Sequence, residues 1–114
     1  MLKDIPIFHK TYELMLWVYT AVNKFPKKQR FVLGQEIEKT AIKFLKLIIK
    51  ANYSIKKTVI LYEASIEINL FLILIRFSKD LQFLSKKQYE FAVSQTNEIS
   101  KMLGGWLKYE ENKN

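Results

Sequence analysis

Apolar side chains recur at steps of three and four residues along most of the chain, which is the spacing of one face of an α-helix. The predicted helices cover about residues 6–25, 29–52, 56–81 and 85–108. The third is apolar on nearly every side between Ile66 and Ile75, as in helices buried all round, within their own bundle or against a second subunit. Four long helices with short connections predict an all-α fold, an antiparallel up-down-up-down four-helix bundle.

One apolar stripe on each of three helices forms the predicted core. The stripe of the first helix contains Phe8, Tyr12, Met15 or Leu16, and Tyr19. That of the second contains Leu33, Ile37, Ala41, Phe44, Ile48 and Ala51. That of the fourth contains Tyr89, Ala92, Thr96, Ile99, Leu103 and Trp106. Ile42 and Ile49 fall outside the second stripe, where a simple bundle does not need apolar side chains.

Local signals indicate where the helices begin and end. Asp4 is a predicted N-cap of the first helix, and Phe25-Pro26 ends that helix because the residue before a proline avoids the α conformation. Ser85 and Gln88 have the spacing of a capping box at the start of the fourth helix. Gly104-Gly105 is expected either to end that helix or to let another backbone approach closely.

Composition narrows the class of protein. With 114 residues, of which 49% are hydrophobic, the chain can bury a core, and we expect one domain spanning residues 1–114. The chain has no cysteine and no N-terminal signal pattern, and its longest apolar run, Leu70–Ile75, is far short of the ~20 residues of a membrane span. These features predict a soluble, cytoplasmic protein without a membrane partner.

The net charge of +8 arises within one segment. Between Lys24 and Lys57 there are ten basic residues and two acidic ones, Glu36 and Glu38. Lys39, Lys43, Lys46 and Lys50, here called the lysine ridge, fall within ~60° of one another on a helix. The predicted nucleic-acid-binding residues are Lys24, Lys27, Lys28, Arg30, Lys39, Lys43, Lys46, Lys50, Lys56 and Lys57. Because nearly all are lysines, we expect contacts to phosphates rather than bases.

Other side chains offer little chemistry. His9 is the only histidine, and neither a glycine-rich phosphate loop nor a di-iron Glu-x-x-His motif is present. We therefore expect no enzyme, no cofactor and no metal site. Several aromatic residues have two interpretations: they could stack on unpaired bases, or they could pack in the core. Core packing is the favoured prediction, because most of them have the spacing of core positions. These residues are Tyr12, Trp17, Tyr19, Phe25, Phe31 and Tyr53.

Several segments resemble a known family. They are Pro6–Tyr12 with Trp17, Phe25–Glu38, Arg76–Leu81 and Ile99–Lys108. They are similar to four-helix-bundle proteins encoded in 23S rRNA intervening sequences, and more so to the accessory variability determinant (Avd) proteins of diversity-generating retroelements. The resemblance implies a non-catalytic homopentamer that binds nucleic acid and a reverse transcriptase during mutagenic cDNA synthesis.

Three hypotheses follow. The chain is a nucleic-acid-binding accessory subunit of a reverse transcriptase, a protein of the rRNA intervening-sequence type, or a structural or protein-binding module whose lysines confer solubility. The first predicts a ring-shaped oligomer and salt-sensitive binding, and the second predicts a reading frame inside a 23S rRNA gene. The third predicts that reversing the charge of Lys43, Lys46 and Lys50 leaves every interaction intact.

Overall fold

Four long helices account for most of residues 5–113, the part of the chain that the computed structural model describes. They are α1 (Pro6–Val22), α2 (Gln35–Tyr53), α3 (Thr58–Asp80) and α4 (Lys86–Glu111). The helices pack against one another in a body 48 Å long and 22 Å across. The all-α class and the four helices predicted from periodicity are confirmed. Asp4, the predicted N-cap of α1, lies outside the described residues.

The approach to α2 is irregular. A single turn, Lys27–Gln29, leads into a π-helical turn, Arg30–Gly34, which continues directly into α2. A Cβ atom at Gly34 would lie only 2.6 Å from Cγ1 of Val22, so the close contact between this turn and α1 requires glycine. The sequence predicted an uninterrupted helix here, because a pattern of apolar residues does not show whether one turn is closed by i→i+4 or by i→i+5 hydrogen bonds.

The predicted core of α2 and α4 is confirmed. All six residues of the α2 stripe are buried, including Leu33 in the π-helical turn. In α4, Ala92, Thr96, Ile99 and Leu103 are buried, while the two ends of the stripe are half-buried. The capping box is also present, since the Gln88 N–H donates to Ser85 Oγ and the Ser85 N–H donates to the Gln88 amide oxygen.

The predicted core stripe of α1 is wrong at Tyr12, Leu16 and Tyr19, which are exposed. Phe8 and Met15 are half-buried, and Met15 packs against the core. The helix buries its other apolar stripe instead. The buried residues of α1 are Ile7, Thr11, Leu14, Val18, Ala21 and Val22. Thr11 can occupy the core because its hydroxyl donates to the Ile7 carbonyl at 2.7 Å. Burying this stripe leaves the tyrosine hydroxyls at the surface, where water satisfies them.

Helix α3 is buried on one side only. Its core face contains Leu61, Ala64, Ile68, Phe71 and Ile75, and its opposite face is apolar and exposed. Burial all round within its own bundle, one of two predicted alternatives, is therefore wrong, while burial against a second subunit stays a prediction. By length and composition alone α3 could also cross a membrane, although 33% of its most apolar window is buried in the bundle.

Gly104 and Gly105 do not end α4, which continues to Glu111. Both glycines are exposed, and a Cβ atom at either would meet nothing within 4 Å. The expectation that they end the helix is wrong. No close approach by another backbone occurs at these positions within the described residues.

Candidate nucleic-acid interface

The lysine ridge lies along the outer face of α2. Lys39, Lys43, Lys46 and Lys50 are all exposed, and the buried residues of the same helix lie on the other side, where the helix packs against α1 and α3. A rise of 1.5 Å per residue places Lys39 and Lys50 ~16 Å apart along the helix axis. The folded chain thus presents a row of four ammonium groups without distortion of the helix.

One of these lysines has an acidic partner. Lys43 Nζ lies 3.3 Å from Oε2 of Glu67 on α3. The Glu67 side chain is 12% exposed and that of Lys43 is 61% exposed, so the pair lies at the edge of the α2–α3 contact. Among residues 5–113, no ion pair within 4.0 Å involves Lys39, Lys46 or Lys50. Three of the four ridge charges therefore remain available to a ligand.

Further cations flank the ridge at both ends. Lys24, Lys27 and Lys28 are exposed in the turns before α2, and Lys56 is exposed after it. Arg30 is half-buried in the π-helical turn. Its Nη1 donates to Asn23 Oδ1 at 3.4 Å, and its Nε is buried without a hydrogen-bond partner in the described part of the chain. The structure therefore places Arg30 partly inside the protein, unlike the neighbouring lysines.

Lys57 has a structural role. Its ammonium donates to the carbonyl oxygens of Ala51, Asn52 and Ser54, at 2.8, 3.0 and 2.7 Å. These carbonyls lie at the C-terminal end of α2, where helix carbonyls lack partners and carry partial negative charge. Because all three ammonium protons are engaged, we leave Lys57 out of the proposed surface. Its position directly before α3 did not distinguish this cap from a surface cation.

The aromatic residues divide between the two interpretations. Phe25 is buried against Phe83, and Trp17 is half-buried against Phe91, with ring centroids 5.6 Å apart in both pairs. Core packing is thus correct for Phe25 and Trp17. It is wrong for Phe31 and Tyr53, which are 63% and 73% exposed at the two ends of α2, and for Tyr12 and Tyr19 on α1. Phe31 lies two residues before the buried Leu33, and helical geometry places side chains two residues apart on nearly opposite sides.

Glu38, one of the two acidic residues of α2, points away from the ridge. Glu38 lies on the side of α2 that faces α1, and burial raises the pKa of its carboxyl group. Burial and the nearby Glu38 charge together raise the pKa of Tyr19 on α1. Glu38 therefore belongs to the α1–α2 contact, and the lysine ridge keeps its positive character.

Groups that support catalysis are sparse in this structure. His9 is exposed on α1, with its ring centroid 5.8 Å from that of Phe8. Within residues 5–113 no group of three or more His, Asp or Glu side chains could hold a metal ion. What the described surface offers is electrostatic attraction, with the ridge as its main feature.

Comparison with known proteins places the chain in a family. No curated protein is similar enough to be matched. A family model described as bAvd-like matches residues 6–110, which is nearly the whole described helical region. The chain therefore belongs to the bAvd-like family, an accessory and non-catalytic kind of protein.

Proposed function

We propose that this protein is a nucleic-acid-binding accessory subunit that partners a reverse transcriptase in a diversity-generating retroelement, where it supports mutagenic cDNA synthesis. The observation that carries the proposal is the lysine ridge, whose four ammonium groups are exposed and of which one alone has an acidic partner within residues 5–113. Membership of the bAvd-like family supports the same role.

The ridge suits contact with a phosphate backbone. Its length of ~16 Å along the helix axis corresponds to roughly five phosphates along one strand of a duplex. Lysine ammonium groups act as point charges and do not form the bidentate contacts by which arginine reads guanine. The ridge would therefore bind RNA or DNA with little sequence preference, and would hold a template or product near the polymerase.

The proposed scaffold is an antiparallel up-down-up-down bundle. Contacts between α1 and α4 support this topology, because Lys10 pairs with Glu98 at 2.8 Å while the later Trp17 packs against the earlier Phe91. The Tyr62 hydroxyl near the start of α3 likewise donates to Glu111 at the end of α4, at 2.6 Å. In this arrangement α2 has both its neighbours on its inner side, which leaves its outer face to a ligand.

The proposed assembly is a cytoplasmic homo-oligomer, a pentamer by resemblance to the Avd proteins, that contacts the reverse transcriptase. Repetition of the ridge around an oligomer would raise avidity for one long strand, since a second contact on the same molecule is intramolecular. A reverse-transcriptase gene beside the gene for this chain is the genomic arrangement that the proposal requires.

Charge reversal tests the role of the ridge. Lys39→Glu/Lys46→Glu/Lys50→Glu spares Lys43, whose reversal would break the Glu67 pair. The control is Lys87→Glu/Lys101→Glu/Lys108→Glu, which changes the net charge equally at three exposed positions of α4. The probe is a fluorescent single-stranded RNA, titrated by anisotropy between 50 and 300 mM salt.

The two variants are expected to differ. If six lysines contact phosphates, log K for the wild type falls with log salt at a slope of about −4 to −5. The ridge variant is expected to lose more than about tenfold in affinity at 150 mM salt and about two units of that slope, since three phosphate contacts are removed. Equal losses in the ridge variant and the control would overturn the proposal and favour the structural-module hypothesis.

A further inference from the structure

The outward face of α3 carries a continuous apolar stripe. Six of its residues, and Leu81 directly after it, are between 41% and 72% exposed, and they recur at steps of three and four along the whole helix. They form the α3 stripe: Val59, Tyr62, Ile66, Leu70, Ile73, Phe77 and Leu81. At 100° per residue they span ~100° of the helix surface, centred opposite the core face.

The exposed apolar area of the α3 stripe is close to the area that one partner buries in a stable protein interface. An aromatic side chain buries 150–250 Å² and the smaller aliphatic ones bury less, so two aromatic and five aliphatic side chains that are about half exposed present on the order of 600–700 Å². The largest apolar patch of a typical monomer is ~300–600 Å², and a stable interface buries ~800 Å² on each partner. The α3 stripe is therefore large enough to supply most of one side of an interface.

A second apolar surface lies between α1 and α2. Tyr12, Leu16 and Tyr19 are 52%, 57% and 43% exposed on α1. A surface cleft lined by Val22 of α1 and Glu38 of α2 lies one turn from Tyr19, so this side of α1 faces α2. On the matching side of α2, three apolar residues are half-buried, Ile42, Leu45 and Ile49. We call this surface the α1–α2 groove. It explains the two isoleucines that fall outside the core stripe of α2.

The stripe and the groove cannot meet within one molecule. Helix α1 packs against α2 and α4, and α3 packs against the same two helices, so α1 and α3 occupy opposite corners of the bundle. The α3 stripe points away from its own core. A second copy of the chain can bring its α1–α2 groove to that stripe, whereas the first copy cannot.

We infer that the α3 stripe of one copy packs into the α1–α2 groove of a second copy. A projecting helix in an apolar groove is a common recognition mode. Charge complementarity supports this occupant, because the exposed Glu63 lies at the edge of the stripe while the lysine ridge lies at the edge of the groove. The inference rests on the homo-oligomer of the proposed function and adds the two surfaces that join it.

The contact joins two different surfaces, so the assembly is head-to-tail. A copy that joins through one of the two surfaces leaves its other surface free for the next copy. Such contacts lead to a closed ring or an open filament rather than a two-fold dimer. The lysine ridge borders the groove on α2. Each interface between two copies would therefore have the same row of lysines at its edge.

Complementation between two variants tests the inference. The stripe variant is Ile66→Glu/Ile73→Glu and the groove variant is Tyr12→Glu/Leu16→Glu, all at exposed positions where folding is expected to persist and circular dichroism checks it. Asn97→Glu/Lys101→Glu on the exposed face of α4 is the control. Mass is measured by size exclusion with light scattering.

The wild type and the control are expected to assemble beyond a dimer, and each of the two variants alone to be a monomer. An equimolar mixture of the two variants is expected to form a species of twice the monomer mass, because one intact stripe meets one intact groove. The inference is overturned if the groove variant still assembles alone, which indicates a stripe-to-stripe contact, or if the mixture stays monomeric.

A monomeric wild type also overturns the inference, and flotation of that monomer with lipid vesicles would identify a membrane as the occupant of the stripe. RNA titration of the stripe variant separates the two proposals. Ridge-dependent RNA binding by a protein that never assembles would leave nucleic-acid binding standing and remove the interface.

Discussion

Lys43 and Glu67 join α2 to α3 through an ion pair in which Nζ lies 3.3 Å from Oε2. The pair connects the proposed binding surface to the packing of the bundle, because the carboxylate is nearly buried while the ammonium lies on the lysine ridge. A polyanion that engages Lys43 has to compete with Glu67. The pair therefore lowers the charge of the ridge while it holds α3 beside it.

Removal of the Glu67 charge is expected to strengthen RNA binding. In Glu67→Gln, Lys43 becomes available for one more phosphate contact, which corresponds to about a threefold to fourfold gain in affinity at 150 mM salt for a single strand. Unfolding free energy is expected to fall by about 0.5–1 kcal/mol, as for a partly exposed pair. RNA anisotropy and urea denaturation measure the two effects.

Glu63→Gln is the matched control, since it removes the same charge from an exposed position one turn earlier on α3. It is expected to change RNA affinity less than Glu67→Gln does. Equal gains in the two variants would show that net charge alone matters and that Lys43 has no specific part in binding.

The sequence predicts the ridge better than it predicts the pairing. Helical periodicity alone places Lys39, Lys43, Lys46 and Lys50 on one face, because the angle per residue is fixed by the backbone. Pairing of Lys43 with Glu67 depends on the position of α3 along the axis of α2. The spacing of residues within each helix does not determine that position.

The α1 stripe and the π-helical turn show two other limits of sequence reasoning. Helix α1 has two apolar stripes of similar length, and the choice between them depends on which tyrosine hydroxyls can reach water. The turn at Arg30–Gly34 depends on the close contact of Gly34 with Val22, a tertiary constraint. Local propensity predicts a helix there and is indifferent to its hydrogen-bond register.

Loss of the Lys57 ammonium is expected to destabilise the fold without weakening RNA binding. Lys57→Met keeps the aliphatic stem and removes three hydrogen bonds to carbonyls at the end of α2. The expected loss is about 1–2 kcal/mol of unfolding free energy, as for a well-placed cation at a helix C-terminus. Urea denaturation and RNA anisotropy give the two values.

Lys56→Met is the control, because the neighbouring side chain is exposed. It is expected to leave stability nearly unchanged and to reduce RNA affinity. If Lys57→Met weakened RNA binding as much as Lys56→Met did, the structural assignment of Lys57 would be wrong.

The same substitution at two glycines is expected to have opposite effects. Gly105→Ala adds a methyl group that meets nothing within 4 Å on an exposed stretch of α4, and should stabilise the fold by about 0.5–1 kcal/mol. Gly34→Ala forces a methyl group against Val22, at 2.6 Å, and should destabilise it by about 1–3 kcal/mol. Thermal and urea denaturation measure both changes. A destabilised Gly105→Ala protein would indicate a close contact at this site in the assembled state.

Replacement of Glu38 is expected to stabilise the protein most at neutral pH. Burial raises the pKa of Glu38 in the folded state, above the value of about 4.3 for an unfolded chain. The folded state then binds more protons than the unfolded state in the window just above pH 4.3, so stability from this group falls as pH rises through that window. Glu38→Gln carries no titrating group. The free energy by which this variant is more stable than the wild type should be absent below the unfolded pKa, grow as pH rises and be complete at pH 7.

Urea midpoints at pH 4 and pH 7 measure this difference in stability, with Glu36→Gln as the control for net charge at an exposed position two residues earlier. An advantage of equal size at both pH values would contradict burial of the ionised carboxylate in the α1–α2 contact.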